Sequence, residues 1–209
     1  CMDGPKDGAH SLLELVEAGF DAPATQGAAA ALAHRSYTSG TTGHPKGACL
    51  AHEPTVRATR CIGERLRIRE EDISFGPTAL SSSFQLVGNL LPQLDRMATI
   101  NVMGRWTQES GWNAIEAAGA TMLIANPPIL EEVLAGSGKR GKIPGRLRMS
   151  LSGGGPVPPT LKQGWRDKLK TPLVESYGQS ELGGFVALGY PEIEEDDGAL
   201  MRVGPPLPD

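Results

Sequence analysis

Short runs of apolar and β-branched residues alternate with helical stretches over most of the 209 residues, and no other feature narrows the available folds as far. Strands are predicted at residues 33–38, 47–51, 73–78, 98–103, 121–125, 147–152, 173–177 and 185–188, and helices at 11–18, 54–68, 83–94, 108–118, 128–134 and 159–169. Pro128 and Pro159 fall in the first turn of their helices, where a backbone N–H has no partner to lose. Parallel strands need a crossover of a dozen or more residues, and a helix supplies it. The expected class is α/β: a mainly parallel sheet with flanking helices. Residues 21–31, rich in Ala and Gly, are predicted as a surface connection. The basic stretch 136–145 is predicted as a solvated loop, with a phosphate contact as the alternative.

Composition excludes several partners. With 20 Lys+Arg against 24 Asp+Glu, a net charge of −4 and no basic block, the chain lacks the electrostatic footprint of a nucleic-acid or membrane-surface binder. No apolar run approaches the roughly 20 residues of a transmembrane helix, and no signal peptide opens the chain. Cys1, Cys49 and Cys61 are odd in number and lack CxxC spacing, so a reduced, cytoplasmic setting is expected. His10, His34, His44 and His52 have no metal-site spacing. The chain begins at Cys1 and ends in the turn-forming run Val203-Gly204-Pro205-Pro206-Leu207-Pro208-Asp209, which reads as a piece of a longer protein. With 27 Gly and 17 Pro, loops are numerous, and a motif written in glycines alone carries little weight.

The segment Ser36-Tyr37-Thr38-Ser39-Gly40-Thr41-Thr42-Gly43-His44-Pro45-Lys46-Gly47 is more than glycines. Gly40, Gly43 and Gly47 allow close backbone approach, Thr38, Ser39, Thr41 and Thr42 add hydroxyls, and Lys46 adds a cation. Backbone N–H groups, hydroxyls and an ammonium together suit a polyphosphate. A Walker A loop requires Lys-Ser/Thr after its last glycine, whereas here Pro45 precedes Lys46 and Gly47 follows it. Strand-like flanks on both sides predict a loop joining two strands. This segment resembles the signature loop of the adenylate-forming superfamily, which contains acyl- and aryl-CoA synthetases, firefly-type luciferases and peptide-synthetase adenylation domains. The Y-T-S-G-T-T-G-x-P-K-G pattern runs unbroken from Tyr37 to Gly47. The resemblance implies that Thr38, Ser39, Gly40, Thr41, Thr42, Gly43 and Lys46 hold the β- and γ-phosphates of ATP, with Lys46 countering charge on departing pyrophosphate.

Three further segments follow in the family's order. Ser152-Gly153-Gly154-Gly155-Pro156-Val157-Pro158, between a predicted strand and helix, resembles the S-G-G-A-P-L segment, which implies that Gly153, Gly154, Gly155 and Pro156 contact adenine through their backbone. Glu175-Ser176-Tyr177-Gly178-Gln179-Ser180-Glu181 matches Y-G-x-[ST]-E. By residue chemistry, Tyr177 offers a ring face, Ser180 a hydroxyl for phosphate or metal, and Glu181 a hard oxygen ligand for Mg²⁺. The resemblance adds Glu175, Ser176, Gly178 and Gln179 to the nucleotide site, with Glu175 facing the adenine amino group. Arg202-Val203-Gly204-Pro205-Pro206-Leu207-Pro208 is similar to the family's G-x-V-G-x-P-x-P turn.

Departures are equally readable. Where the family carries P-[LM]-F-H-x-x-G, this chain has Ala79-Leu80-Ser81-Ser82-Ser83-Phe84-Gln85, with Ser82 replacing the His. No Asp lies between Thr78 and Leu94, which disfavours an amino acid as substrate. The Y-R-T-G-D segment, the C-terminal domain with its late Lys and the family's opening region are absent. The resemblance implies part of an N-terminal AMP-binding domain: residues 1–69 as the tail of a first α/β subdomain with the phosphate loop, and residues 70–209 as most of a second. The implied parent enzyme activates a carboxylic acid with MgATP, releases pyrophosphate, and passes the acyl group to CoA. Lys46 and Glu181 are its catalytic residues, and Ser180 and Glu181 hold Mg²⁺. Loading of a carrier-protein pantetheine and a non-catalytic nucleotide-binding module are the alternatives. In isolation this stretch is expected to be inactive and to swap domains or oligomerise through apolar surface left uncovered.

Overall fold

The computed structural model describes residues 17–19, 28–38, 44–140, 144–192 and 203–208. An antiparallel hairpin of β1 (Leu32–Thr38) and β2 (Lys46–Ala51) leads into helix α1 (His52–Arg65). Six further strands form one sheet: β3 (Ile73–Gly76), β4 (Thr99–Val102), β5 (Met122–Ala125), β6 (Met149–Ser152), β7 (Leu173–Gln179) and β8 (Gly184–Leu188). Their order is β4-β3-β5-β6-β7-β8, parallel throughout except for β8, which returns antiparallel against β7. The crossovers are α2 (residues 83–95), α3 (Gln108–Ala118), α4 (Pro127–Arg140) and α5 (Pro159–Leu169). All eight predicted strands are present, and the class is α/β with a mostly parallel sheet, as read from the sequence.

The sheet is covered on both faces, as its composition requires. β5 is the four-residue apolar run Met122-Leu123-Ile124-Ala125, buried along its whole length. Met122 and Ile124 pack with Ile62 and Leu66 of the α1 segment, Val87 of α2, and Met149 and Leu151 of β6. Leu123 and Ala125 point the other way, into a cluster with Trp112 of α3, Leu130 of α4, and Leu161 and Trp165 of α5. The helix preceding residue 69 is thus part of the cover of the six-stranded sheet.

Helix boundaries follow local chemistry. Thr107 caps α3 by accepting from the Ser110 N–H at 3.2 Å, and Gly119 ends it in the left-handed region with φ 61°. The predicted loop at 136–145 is corrected: α4 runs on to Arg140 through Gly136, Ser137 and Gly138. Packing overrides the poor helix propensity of these glycines. A methyl group at Gly136 would lie 2.9 Å from the Trp112 ring, so the close approach of α3 and α4 depends on its absence. Residues 141–143 lie outside the described residues, as does most of the predicted helix at 11–18.

The predicted helix at 83–94 is present but not uniform. Ser83–Gln85 and Leu91–Asp95 are α-helical, while Leu86–Leu90 form a π-turn closed by Leu91 N–H donating to Leu86 O. Pro92 lies just beyond it and has no N–H to offer the Gly88 carbonyl, so the regular α-helical ladder is interrupted on this stretch.

At the sheet edge where the strands begin, residues just before β3, β5 and β6 form a polar knot. Asp72, 2% exposed, receives Arg148 Nη2 at 2.6 Å, Arg148 Nε at 2.7 Å, the Thr121 hydroxyl at 2.8 Å and the Arg69 N–H at 3.0 Å. Burial pushes the Asp72 carboxyl up, but these donors outweigh it and hold the group below the ordinary value of 3.8. Its stabilising contribution is therefore complete above the unfolded-state pKa and is lost as pH falls through the folded-state value. Urea midpoints measured from pH 6 to pH 3 should fall steeply for the wild type and less so for Asp72→Asn. Arg148→Ala should cost about 2–3 kcal/mol at pH 7, less than the roughly 3–5 of a fully buried pair, because the Arg148 side chain is 31% exposed.

Candidate functional site

A cleft of about 410 Å³ opens where β6 and β7 end, between hairpin strand β1 and the N-terminus of α2. Ligands of open α/β sheets collect at this edge, because the crossovers leave the carboxyl ends of the strands uncovered. Two phenyl rings, Phe84 and Phe185, and the hydroxyls of Ser36, Thr38, Ser176 and Ser180 line it, and its described lining residues include no Asp, Glu, His, Lys or Arg.

One side chain ties the cleft together. Ser83 Oγ donates to Ser180 Oγ at 2.9 Å and lies 3.4 Å from Ser36 Oγ. Its hydroxyl thus joins the start of α2, strand β1 and the turn Ser180–Leu182 that follows β7. The preceding residue, Ser82, caps α2: its Oγ accepts from the Gln85 N–H at 3.2 Å and donates to Ala79 O at 2.9 Å. Ser82, read from the motif resemblance as replacing a His, has its side chain committed to the cap while still reaching the cleft wall.

Glycines shape the floor. A methyl group at Gly153 would sit 2.5 Å from both Phe84 Cε2 and Ser176 Oγ, so β6 ends in close contact with the ring and with β7. Ser176 Oγ in turn donates to Ser152 O at 2.9 Å. At Gly178 a methyl group would overlap the Gly184 carbonyl, because a register irregularity brings the β7 and β8 backbones together there. Gly154 differs: it has φ 79° with open space around it.

The residues singled out in the sequence are distributed as follows. Thr38 lies directly across the hairpin from Lys46, so the phosphate-loop segment does join two antiparallel strands. Ser39, Gly40, Thr41, Thr42 and Gly43 lie outside the described residues. Thr38, Gly154, Ser176, Gly178, Gln179 and Ser180 line the cleft. Gly153 is buried beneath it, while Gly155, Pro156, Tyr177, Lys46 and Glu181 are exposed and not among the described lining residues. Tyr177 is 51% exposed. Glu175 points elsewhere: it alternates with Ser176 along β7, is 7% exposed and pairs with Lys162 of α5. Ser36 belongs to the phosphate-loop segment, and Ser83 and Phe84 to the stretch 82–86 expected in the pocket that positions the carboxylate, but none was given an individual role, and Phe185 was not singled out. The serine run at 81–83 before a helix signalled a cap, but nothing local marked Phe185.

A bound Mg²⁺ needs only one or two protein carboxylates, the rest of its shell coming from phosphate oxygens and water. Glu181, exposed and next in sequence to cleft-lining Ser180, fits that requirement. Among the described residues no three His, Cys, Asp or Glu side chains cluster as an all-protein metal cage.

The profile of the AMP-binding enzyme family matches residues 5–209. The chain belongs to this family. An AMP-binding relative, the 4-hydroxybenzoate–CoA/benzoate–CoA ligase of Rhodopseudomonas palustris, is 31% identical over 168 residues, covering 78% of this chain and 31% of the relative. Among solved structures, the complex of VinN with L-aspartate superposes with a TM-score of 0.80 at 26% identity, over 94% of this chain and 49% of that one. The o-succinylbenzoate CoA synthetase of Bacillus subtilis in complex with ATP and magnesium superposes with a TM-score of 0.76 at 26% identity, over 87% of this chain and 37% of that one. This AMP-binding chain thus spans about a third of the length of the curated relative it matches.

The two glycine environments separate experimentally. Gly178→Ala should unfold the β7–β8 end or lower the urea midpoint severely, because backbone and not a side chain occupies the space. Gly154→Ala should cost only about 1–2 kcal/mol, the left-handed strain without a clash.

Proposed function

We propose that the protein carrying this chain is an ATP-dependent carboxylic acid–CoA ligase. The observation that carries this reading is the meeting, around one cleft, of Thr38 from the hydroxyl-rich hairpin and Ser180 from the Tyr-Gly-Gln-Ser-Glu turn, with Ser83 bonded to that serine. The ligase activity printed for the R. palustris relative and the ATP and magnesium held by the B. subtilis neighbour support it.

In this reading the exposed Gly154–Pro156 backbone and the exposed ring of Tyr177 take the adenine ring. Thr38 and Ser180 face the phosphates, and the motif resemblance gives residues 39–43 the same role. The substrate carboxylate attacks the α-phosphorus, the bond to the β-phosphate oxygen breaks, and pyrophosphate leaves with the electron pair. Lys46 and the loop hydroxyls stabilise the charge that grows on that leaving group, and Glu181 with Ser180 holds the metal. Mg²⁺ supplies charge neutralisation on the phosphates when bound. The CoA thiol then displaces AMP from the acyl carbon, losing its proton as the thioester forms. The fixed walls of the cleft contribute positioning, which makes the first step effectively unimolecular.

Acid-dependent exchange of labelled pyrophosphate into ATP tests the first step on the full-length protein. Exchange supported by a carboxylic acid is the expected result, and MgATP binding without exchange for any acid in a broad panel would return the chain to a nucleotide-binding module. Lys46→Ala should slow the exchange by about 10²–10³-fold, the usual loss for one preorganised electrostatic group.

A further inference from the structure

Residues 203–208 supply no lining to the cleft, yet they are tied to the strand that does. They lie along the outer edge of β8, the last strand of the sheet. Leu188 N–H donates to Pro205 O at 3.2 Å, Leu207 N–H donates to Val186 O at 2.9 Å, and Pro206 bridges to Ala187. Pro205, Pro206 and Pro208 have no N–H, so this strap can pair with a strand only sparsely. Arg65, the last residue of α1, supplies donors in their place. Its Nη1 donates to Leu188 O at 2.7 Å and to Pro205 O at 3.4 Å, and its Nη2 donates to Pro206 O at 3.1 Å. One planar fork therefore bonds strand and strap together. The guanidinium also sits over the Tyr190 ring, 4.5 Å from its centre. Ile62 and Leu66, close by on the same segment, are fully buried, so the arm extends from a fixed point.

The strap meets β8 where that strand is irregular. Tyr177 pairs with Ala187 and Gly178 with Phe185, which leaves Val186 without a partner on β7. Such a bulge re-aims the residues beside it. Here the Gly184 carbonyl fills the side-chain position of Gly178, and Gly184 and Phe185 line the cleft. The carbonyl of the surplus residue is the one that Leu207 N–H takes up. A second contact reaches toward β7. A methyl group on Gly204, whose φ is 107°, would lie 2.5 Å from the Gly189 backbone, and the Gly189 N–H donates to Glu175 O at 3.0 Å.

We infer that Arg65 is a positioning residue for the nucleotide site: its fork replaces the donors that the proline-rich strap lacks, and the clamped strap holds the bulge that seats β8 against Ser176–Gln179 of β7. This rests on the assignment of that motif to the nucleotide in the ligase reading above. Without the fork, the strap keeps its main-chain bonds through Pro205 and Leu207 but loses its tie to α1. The effect is local, because the Asp72 knot and the apolar β5 hold the rest of the sheet. Lysine is a poor substitute, since one ammonium cannot present two donors in a plane to carbonyls on separate chain segments.

The test uses the full-length protein, with amide exchange followed by mass spectrometry and MgATP binding followed by calorimetry. Arg65→Ala should speed exchange across residues 173–190 and leave residues 122–125 at the wild-type rate. It should weaken MgATP binding by about 10-fold, the order carried by one hydrogen bond to a charged group. Arg65→Lys should fall between the two. Guanidinium at millimolar, non-denaturing concentration should restore much of the affinity of Arg65→Ala and leave the wild type unaffected. Wild-type MgATP affinity in both folded variants would overturn the inference, whether or not β7 and β8 exchange faster. So would faster exchange throughout the sheet with no rescue by guanidinium, which marks a general loss of stability. A wild-type protein that binds no MgATP would overturn the nucleotide reading itself, and this inference with it.

Discussion

Five strands running in the same direction must all end at the same edge of the sheet, and that constraint governs the rest of this molecule. It sends every connection back across a face, which is why helices cover both sides and why β5 is apolar on both. It also divides the two edges by role. At the beginning of the strands, Asp72, Thr121 and Arg148 lock three chain segments to one another. At the end, the chain leaves through Gly153 and Gly178, whose lack of a side chain lets Phe84, Ser176 and the Gly184 backbone close in as the lining of a cleft. Rigidity at one edge and openness at the other follow from a single directional choice.

The same constraint explains what could be read from the sequence. Strands buried on two faces appear as short apolar runs bounded by turns, so Met122–Ala125 and Met149–Ser152 were visible almost to the residue. The hairpin was legible because strand-like residues flank the Ser/Thr/Gly segment on both sides. Helix α4 was less so: Gly136, Ser137 and Gly138 speak against a helix locally, and only the Trp112 ring, provided by a different helix, explains why they form one. The π-turn was hidden for a different reason. Pro92 announces a disturbance, but whether a helix ends, kinks or widens there depends on what packs beside it.

The site divides along the same line. Motif residues whose backbone or hydroxyl makes the contact, such as Thr38, Gly154 and Ser180, carry their signal in a local pattern and lie on the cleft. Glu175 shows the limit of that kind of reading. A strand turns alternate side chains to opposite faces, so the residue beside cleft-lining Ser176 went to α5 and Lys162 instead. Ser83 was legible only as part of the pocket stretch 82–86, and Phe185 was silent, because their particular roles lie in partners far along the chain. Ser180 is 97 residues from the first, and Gly88 meets the second through a ring that no local spacing foretells.

The π-turn in α2 has a consequence for how this chain tolerates changes in length. In an ordinary α-helix an added residue rotates everything beyond it by about 100° and would turn the apolar side of Leu91–Asp95 away from the sheet. A π-turn is the form in which a helix absorbs one additional residue, the surplus being taken up as a local bulge. Here that bulge lies between the cap at Ser82 and the segment beginning at Leu91. The bulge is itself packed: Val87, Gly88 and Asn89 are buried, so the surplus residue is held in place between the half of the helix that faces the cleft and the half that covers β5. Deleting one residue at 86–90 would restore α-helical spacing but displace these buried groups, so the length of this segment is fixed by packing on both the cleft side and the sheet side.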